Sequence, residues 1–222
     1  MTRRAAMLVL SAVLAAAAVA GCEPTAWILV QTIGPFIPED KHVAEFDLTG
    51  KSLLVLVDVD DPMVASEYPR VEALLATGIA DTLKDHQASG PVVPAYSVQA
   101  ARRMERGFEQ WSVAQAGEYF NVDLVMHVRL FEFRVKDNPS ANVLNGYAET
   151  GIRLVSPETG QQVWPVLAEA RLITAEGLPE ADAVAAETRE YEEEVAKGLA
   201  AKIARNFCTY KLSDLPLRPK VK

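Results

Sequence analysis

Apolar and polar positions along the chain predict two principal strands. Residues 51–58 form a short continuous apolar run, which is typical of a strand covered on both faces. Residues 123–135 begin in the same way and then alternate, with Phe131, Phe133 and Val135 on one side. This second strand is therefore predicted to start buried and to end half exposed.

A hairpin is predicted around residues 156–160, because this segment contains the proline and the glycine of a turn. Residues 141–155 and 162–175 supply its two strands. Residues 91–94 predict one more short strand, which we place near a sheet edge because it contains prolines.

The spacing of apolar residues predicts three helices between the two principal strands. The first carries Pro69 in its first turn and ends near residues 84–86. Ser97 is predicted to cap the second helix. Ser112 and Gln115 form a capping box for the third, and Asn121 suits the left-handed position after it. The residues predicted to face inward on the last two helices are Val98, Ala101, Met104, Phe108, Ala116, Tyr119 and Phe120.

A long helix over residues 182–207 is predicted to close the domain. Its apolar side repeats every three or four residues, at Thr188, Tyr191, Val195, Leu199, Ile203 and Phe207. On the exposed side, Glu193 has the spacing of an ion pair with both Arg189 and Lys197.

The order of these elements predicts an α/β (α+β mixed) fold, in which helices pack on a mixed sheet and a long helix lies at the C-terminus. We predict a leader at residues 1–21, a tether at 22–50, a single domain at 51–210 and a C-terminal tail at 211–222. The tether contains an apolar segment, residues 27–37. Two interpretations of this segment stay open: packing on the domain, or contact with a membrane or partner.

The first 21 residues have the pattern of a cleaved leader. Arg3 and Arg4 precede an uncharged run over residues 5–20. This run is rich in alanine and shorter than the roughly 20 residues of a membrane-spanning helix, which disfavours a transmembrane anchor.

Residues 19–22, Val-Ala-Gly-Cys, resemble the lipobox of bacterial lipoproteins. The resemblance implies that Cys22 carries a diacylglycerol thioether and becomes the first residue of the mature chain. Two or more acyl chains hold a soluble domain stably on a membrane. Glu23 resembles the residue found at this place in outer-membrane lipoproteins, which implies an outer-membrane location facing the periplasm. The alternative is a cleaved periplasmic protein with a chance cysteine, because residues 18–20 also match an Ala-x-Ala site.

Charge and cysteine content restrict the partners of the chain. The net charge is −8, and the loss of Arg3 and Arg4 with the leader takes it to −10. An acidic chain repels nucleic acid and anionic headgroups, so we expect membrane association through acyl chains. Lipidation of Cys22 would leave Cys208 without an intrachain disulfide partner. Cys208 is interpreted as a buried apolar residue, with an intermolecular disulfide as the alternative.

Two segments resemble a group of domains from bacterial envelope lipoproteins: residues 53–58 with the turn and helix after them, and residues 116–128. The group comprises the TolB amino-terminal domain, the curli secretion channel family and the penicillin-binding-protein activators. Asn121 and His127 stand where the group commonly has a glycine and a small residue. The resemblance implies a non-enzymatic role in assembly or scaffolding, with an envelope protein as partner and without a cofactor. It leaves the oligomeric state open.

The strongest catalytic candidates are Asp58 and Asp60, which follow the first strand. They resemble the first motif of the haloacid dehalogenase phosphatases, which implies a nucleophile and a proton-transfer group. Asp81 and Asp85 have the spacing of that family's acidic pair but fall inside a predicted helix. The competing interpretation is an acidic, solvated turn, with Asp60 or Asp61 near a helix N-terminus.

Other catalytic signatures are absent from the sequence. His42, His86 and His127 fall in different predicted elements and lack the spacing of a zinc site. Serine-nucleophile motifs and phosphate-binding glycine loops are also missing.

These observations favour a lipid-anchored envelope lipoprotein with a non-enzymatic binding or scaffolding domain. A phosphatase that uses Asp58 and Asp60 is one alternative, and an oligomeric secretion component is another. The secretion component is disfavoured because charged residues interrupt the apolar band that a membrane strand needs. These charged residues are Glu149, Arg153, Glu169 and Arg171.

Overall fold

A mixed sheet of five strands organises this computed structural model, which describes residues 41–136, 143–175, 181–182 and 188–211. The predicted fold class, a mixed sheet with helices packed on it and a C-terminal helix, is confirmed. The strands are β1 (Lys41–His42), β2 (Leu53–Val59), β3 (Leu124–Arg134), β4 (Val143–Leu144), β5 (Tyr147–Val155), β6 (Gln162–Trp164), β7 (Arg171–Ala175), β8 (Ala181–Asp182) and β9 (Tyr210–Lys211). The helices are α1 (Pro62–Glu67), α2 (Val71–Asp85), α3 (Ala95–Met104), α4 (Val113–Phe120) and α5 (Thr188–Arg205).

Several predictions concern residues outside the described ranges. They are the leader, the lipidation of Cys22, the apolar segment 27–37 and the tail predicted at 211–222, of which only Lys211, in β9, is described. Residues 41–50 of the predicted tether are described, and there Leu48 is fully buried and bridges Ser89. No helix in the described part of the chain combines the length and the apolar character needed to span a bilayer.

The main sheet has the strand order β2-β3-β5-β6, and β7 also pairs with β5. β2 and β3 are parallel, whereas the pairs that involve β5 are antiparallel. The predicted hairpin is therefore present, but its second strand is interrupted between β6 and β7 by residues 165–170. At residues 91–94, the chain forms an isolated parallel bridge from Val92 to Leu53 beside β2.

β2 lies between two apolar cores, as its continuous apolar run predicts. Leu53, Val55 and Val57 belong to a larger core that contains the buried sides of α2 and α5. Leu54 and Leu56 belong to a smaller core with residues of α3 and α4. Because both faces of the strand exclude water, it needs no polar side chain before its end.

A β-bulge between Leu130 and Glu132 changes which side chains of β3 face the larger core. Before the bulge, Leu130 belongs to that core, and after it Phe133 and Val135 do. The prediction that Phe131 shares their side is wrong, because the extra residue of a bulge reverses the alternation. Phe131 instead lies against Gly151, on the opposite face.

The turn after β2 contains a helix that the sequence pattern did not predict. The Asp61 carboxylate accepts from Met63 N at 2.8 Å and caps α1. The expectation of an aspartate at a helix N-terminus is confirmed for Asp61. Pro69 precedes the N-cap Arg70 of α2, so its predicted place in the first helical turn is wrong.

The prediction that Ser97 caps α3 is also wrong, because Pro94 is the N-cap. Ser97 N–H donates to the Pro94 carbonyl at 2.9 Å, within the first turn. The predicted inward side is confirmed for Val98 and Ala101, whereas Met104 is 79% exposed.

The capping box of α4 is confirmed, with Ser112 and Gln115 each accepting from the other's backbone N–H. Asn121 ends the helix in the left-handed conformation, at φ 51°, as predicted. Ala116 is buried as expected, but Tyr119 is 49% exposed.

The apolar side of α5 matches its predicted spacing at Tyr191, Val195, Leu199, Ile203 and at Phe207 just beyond the helix, all of which are buried. The predicted start at Asp182 is wrong, because Asp182 belongs to β8. Glu193 forms its ion pair with Arg70, at 2.7 Å, rather than with a residue of its own helix.

Candidate functional site

The candidate site begins with the Asp58 carboxylate, near the C-terminal end of β2. Its Oδ1 accepts from Arg102 Nη2 at 2.8 Å, and its Oδ2 lies 2.7 Å from His127 Nε2. Arg102 comes from α3 and His127 from β3, next to β2 in the sheet. Both oxygens of this carboxylate are therefore engaged by side chains of the same chain.

Arg102 connects Asp58 to two further groups. Its Nη2 also donates to the Val57 carbonyl at 2.8 Å, and its Nη1 donates to Glu72 Oε2 at 3.1 Å. The Arg102 side chain is 18% exposed. A guanidinium has donors on several sides, so one residue can hold two carboxylates and a carbonyl at once.

His127 is held between Asp58 and Arg153. Arg153 Nε donates to His127 Nδ1 at 3.1 Å. Arginine has no acceptor, so Nδ1 must present its lone pair, and the neutral ring must carry its hydrogen on Nε2. His127 therefore donates from Nε2 to Asp58. We call Asp58, Arg102, His127 and Arg153 the charge network.

The electrostatics of the charge network favour an ionised Asp58. Burial raises the pKa of the Asp58 carboxyl, but the His127 hydrogen bond and the Arg102 charge outweigh it, and the pKa lies below the ordinary 3.8. Burial raises the pKa of Glu72 above the ordinary 4.5, with Arg102 opposing the shift and Asp58 adding to it. The Arg102 charge thus lowers the pKa of both carboxyls, but burial outweighs it at Glu72, whereas at Asp58 burial does not outweigh Arg102 and His127 together.

Asp60 does not join Asp58 but forms a separate ion pair with Arg129 of β3. Arg129 Nη2 lies 2.5 Å from Asp60 Oδ2, and Arg129 Nε donates to Oδ1 at 3.3 Å. The hydrogen bond that Arg129 donates to Asp60 raises the pKa of the Arg129 guanidinium. The structure therefore gives the two predicted catalytic aspartates different partners.

This geometry does not suit a phosphatase nucleophile. An attacking carboxylate needs a free oxygen, and both oxygens of Asp58 accept short hydrogen bonds. Asp81 and Asp85 lie on α2, as the pattern predicted. Across the described ranges, no group of three histidine, cysteine or acidic residues is placed to hold a metal ion.

The three histidines have separate surroundings in the structure. His127 belongs to the charge network, whereas His42 and His86 both lie near the Tyr210 ring, with centroid distances of 4.8 and 6.4 Å. Cys208 is a fully buried free cysteine, in agreement with its interpretation as an apolar residue.

A pocket of about 260 Å³ adjoins the charge network on the face of the sheet opposite α2 and α5. We call it the basic pocket. It is lined by His127, Arg129, Phe131, Gly151, Arg153, Glu169, Ala170 and Leu172.

A larger concavity of about 770 Å³ lies between α2 and the segment that leads into α3. Its walls include Ala73, Ala80, Val92 and Tyr96, and Tyr96 is 72% exposed. The described surface thus includes a groove with a largely apolar lining and a smaller pocket with charged walls.

Sequence reasoning missed Arg102 and the role of Arg153. Arg102 lies on α3 and reaches Asp58 across 44 residues of sequence. Arg153 stands directly opposite His127 in the antiparallel register of β3 and β5. A local sequence pattern contains no signal for either contact, because both depend on how separate elements are paired.

Comparison with known proteins gives no family assignment. No family model matches the chain, and no curated protein matches it.

Some solved structures resemble the chain, with low sequence identity and TM-scores below 0.5. A PelC dodecamer from Paraburkholderia phytofirmans is 17% identical, over 78% of this chain and 97% of that chain, with a TM-score of 0.45. Lipoprotein GNA1162 from Neisseria meningitidis is 16% identical, over 57% and 80%, with a TM-score of 0.39. The LpoB C-terminal domain from Salmonella enterica is 14% identical, over 60% and 88%, with a TM-score of 0.34. At these values the function has to be argued from the residues of this chain.

Proposed function

We propose that the chain is a lipid-anchored lipoprotein of the bacterial envelope whose domain binds another molecule without catalysing a reaction. The observation that carries the proposal is that Asp58 and Asp60, the two candidate catalytic aspartates, already have partners within the chain. Asp58 accepts from Arg102 and His127, and Asp60 accepts from Arg129. The groups that the sequence offers for chemistry are therefore used to hold the fold.

A general base would meet the same obstacle. His127 is the one histidine within hydrogen-bonding distance of Asp58 among the described residues, and both of its ring nitrogens have partners. A base must have a lone pair directed at its substrate, and the Nδ1 lone pair is directed at Arg153. The groove and the basic pocket, in contrast, leave open surface for a ligand or partner.

The sequence supports the proposed anchor. The leader ends directly before Cys22, and acyl chains on that residue would hold the domain on a membrane. The acidic mature chain would add no attraction to anionic headgroups. Glu23 favours an outer-membrane location that faces the periplasm. In that location, the proposed partner is another protein of the envelope.

Metabolic labelling tests the anchor. The full chain is expressed in a Gram-negative host with an alkyne fatty acid, and Cys22→Ala is compared with Cys208→Ala as the matched cysteine control. We expect label and membrane association in the wild type and in Cys208→Ala, and neither in Cys22→Ala. An unlabelled wild type that washes off membranes with buffer would overturn the anchor.

Catalysis is tested by magnesium-dependent hydrolysis of p-nitrophenyl phosphate. We expect wild type and Asp58→Asn to show equal, negligible rates. Hydrolysis by the wild type that Asp58→Asn abolishes would restore the phosphatase alternative.

Binding is tested by crosslinking in native envelopes. We expect one adduct whose yield saturates. The absence of any adduct from intact, anchored protein would contradict a protein partner.

A further inference from the structure

The basic pocket has a construction that differs from the rest of the charged surface. Its walls come from β3, β5, the segment before β7 and β7 itself, so strand pairing holds them in place. Gly151 stands at its base, between Arg129 and Leu172 in the register. A Cβ at this position would lie 2.9 Å from Phe131 Cζ and 3.3 Å from Ala170 Cβ. The glycine therefore leaves room for the Phe131 ring and Ala170, which form two walls of the pocket.

Arg153 brings a charge to this pocket that no carboxylate of the described residues balances within ion-pair distance. Other arginines of the sheet region have such partners: Arg102 contacts Asp58, and Arg129 contacts Asp60. Arg153 is half-buried, and its Nε donates to His127 Nδ1, which is an acceptor but not a carboxylate. A partly buried charge without a counter-ion within ion-pair distance is unfavourable, because burial removes part of its hydration.

The contact with His127 also orients Arg153. It uses Nε and leaves the two terminal nitrogens for another acceptor. Two parallel N–H donors match the two oxygens of a carboxylate. His127 is in turn fixed by Asp58, so the charge network holds the guanidinium in place from behind.

The other walls restrict the kind of anion. Arg129 is already neutralised by Asp60, and Glu169 in the lining repels a second negative charge. Phe131 and Leu172 supply apolar surface. A volume of about 260 Å³ is below the usual range of roughly 300–1,000 Å³ for drug-sized ligands, so the ligand must be small.

We propose that the basic pocket binds a small organic monocarboxylate, with its carboxylate on Arg153 and its apolar body against Phe131 and Leu172. This site goes beyond the binding role proposed above and does not depend on the lipid anchor. Asp58 acts as a positioning residue, because it holds His127, which in turn holds Arg153.

Equilibrium dialysis of the purified full chain in detergent tests this site, with radiolabelled benzoate as the probe. We expect radiolabelled benzoate to bind at one saturable site. Unlabelled benzoate should displace it, and neutral benzamide should not. Phenyl phosphate should displace it less well than benzoate does. Arg153→Gln is expected to weaken benzoate binding at least about tenfold, as the loss of a charged hydrogen-bonding partner predicts. Arg103→Gln is the matched control, because Arg103 is an exposed arginine on α3, and it should leave binding unchanged.

Gly151→Ala provides a second test in which every charge is kept. It should also weaken benzoate binding about tenfold or more, because the added methyl group would displace the Phe131 ring, which forms one wall of the pocket. Circular dichroism and urea midpoints identify variants that stay folded. Benzoate binding that is equal in wild type and folded Arg153→Gln would overturn the proposal. Failure of the wild type to bind saturably at concentrations up to about 10 mM would also overturn it.

Discussion

Replacement of Arg102 by methionine tests whether the charge network stabilises the domain. The two side chains have similar length, but methionine has no hydrogen-bond donor. The variant would lose the bonds to the Val57 carbonyl, Asp58 and Glu72, which measure 2.8, 2.8 and 3.1 Å. It would also leave two nearby carboxylates without the cation between them.

The burial of these groups sets the expected magnitude. Removal of one partner from a buried ion pair costs about 3–5 kcal/mol, because the other charge stays buried. Here the arginine side chain is 18% exposed, but those of Asp58 and Glu72 are 42% and 33% exposed. Water can therefore solvate the carboxylates that remain, which lowers the expected loss to roughly 2–3 kcal/mol.

The assay is urea denaturation of the full chain at pH 7, followed by circular dichroism. Arg103→Met is the matched control: it is the next residue of α3, is exposed and has no ion pair in the described structure. We expect the control to stay within about 0.5 kcal/mol of the wild type. An Arg102→Met variant that is equally close to the wild type would refute the reasoning.

The pH dependence gives an independent check. Asp58 has a folded-state pKa below its ordinary 3.8, so its contribution is present above that value and is lost as the pH falls through the folded pKa. Glu72 has a raised pKa, so its ionised form at pH 7 opposes folding and is relieved as the pH falls. Both effects should reduce the difference in free energy of unfolding between wild type and Arg102→Met as the pH falls. A difference that widens would contradict the assigned partners.

Three further changes test the packing, capping and burial of single residues. Gly78→Ala would place a Cβ 2.8 Å from the Ala200 Cβ. We expect the free energy of unfolding, measured by urea denaturation, to fall by about 1–2 kcal/mol, because overpacking exceeds the gain in helix propensity. A second substitution, Ala200→Gly, should restore part of this loss. No recovery would contradict the contact. Ser112→Ala should lower the free energy of unfolding by about 1 kcal/mol in the same assay, since it removes one half of the capping box of α4. An unchanged free energy of unfolding would contradict the capping box. Burial raises the pKa of Cys208 to about 11, so in a Cys22→Ala background a thiol reagent at pH 8 should react only after unfolding. Fast reaction of the folded protein would contradict that burial.

The parts of the fold that sequence reasoning predicted correctly depend on local interactions. The continuous apolar run of β2, the capping box at Ser112 and the left-handed Asn121 each involve neighbouring residues. The errors arise where tertiary contacts decide. Phe131 changes faces because of a bulge, and Pro94 replaces Ser97 as the cap of α3.

The candidate site was harder to predict than the fold for the same reason. Asp58 was identified from its place after a strand, but its partners belong to α3 and β3, 44 and 69 residues away. Arg153 meets His127 only through the antiparallel register of β3 and β5. Apolar spacing constrains which face a side chain occupies, but it does not specify which strand lies opposite.

Arg102 also affects what can happen at the side of β2 that faces away from β3. The Val57 carbonyl points to that side, where an unpaired strand of another molecule would seek a hydrogen bond. Arg102 already occupies this carbonyl, and it places a cation where the incoming backbone would have to lie. The residue that holds two carboxylates thus also hinders growth of the sheet into a neighbouring molecule.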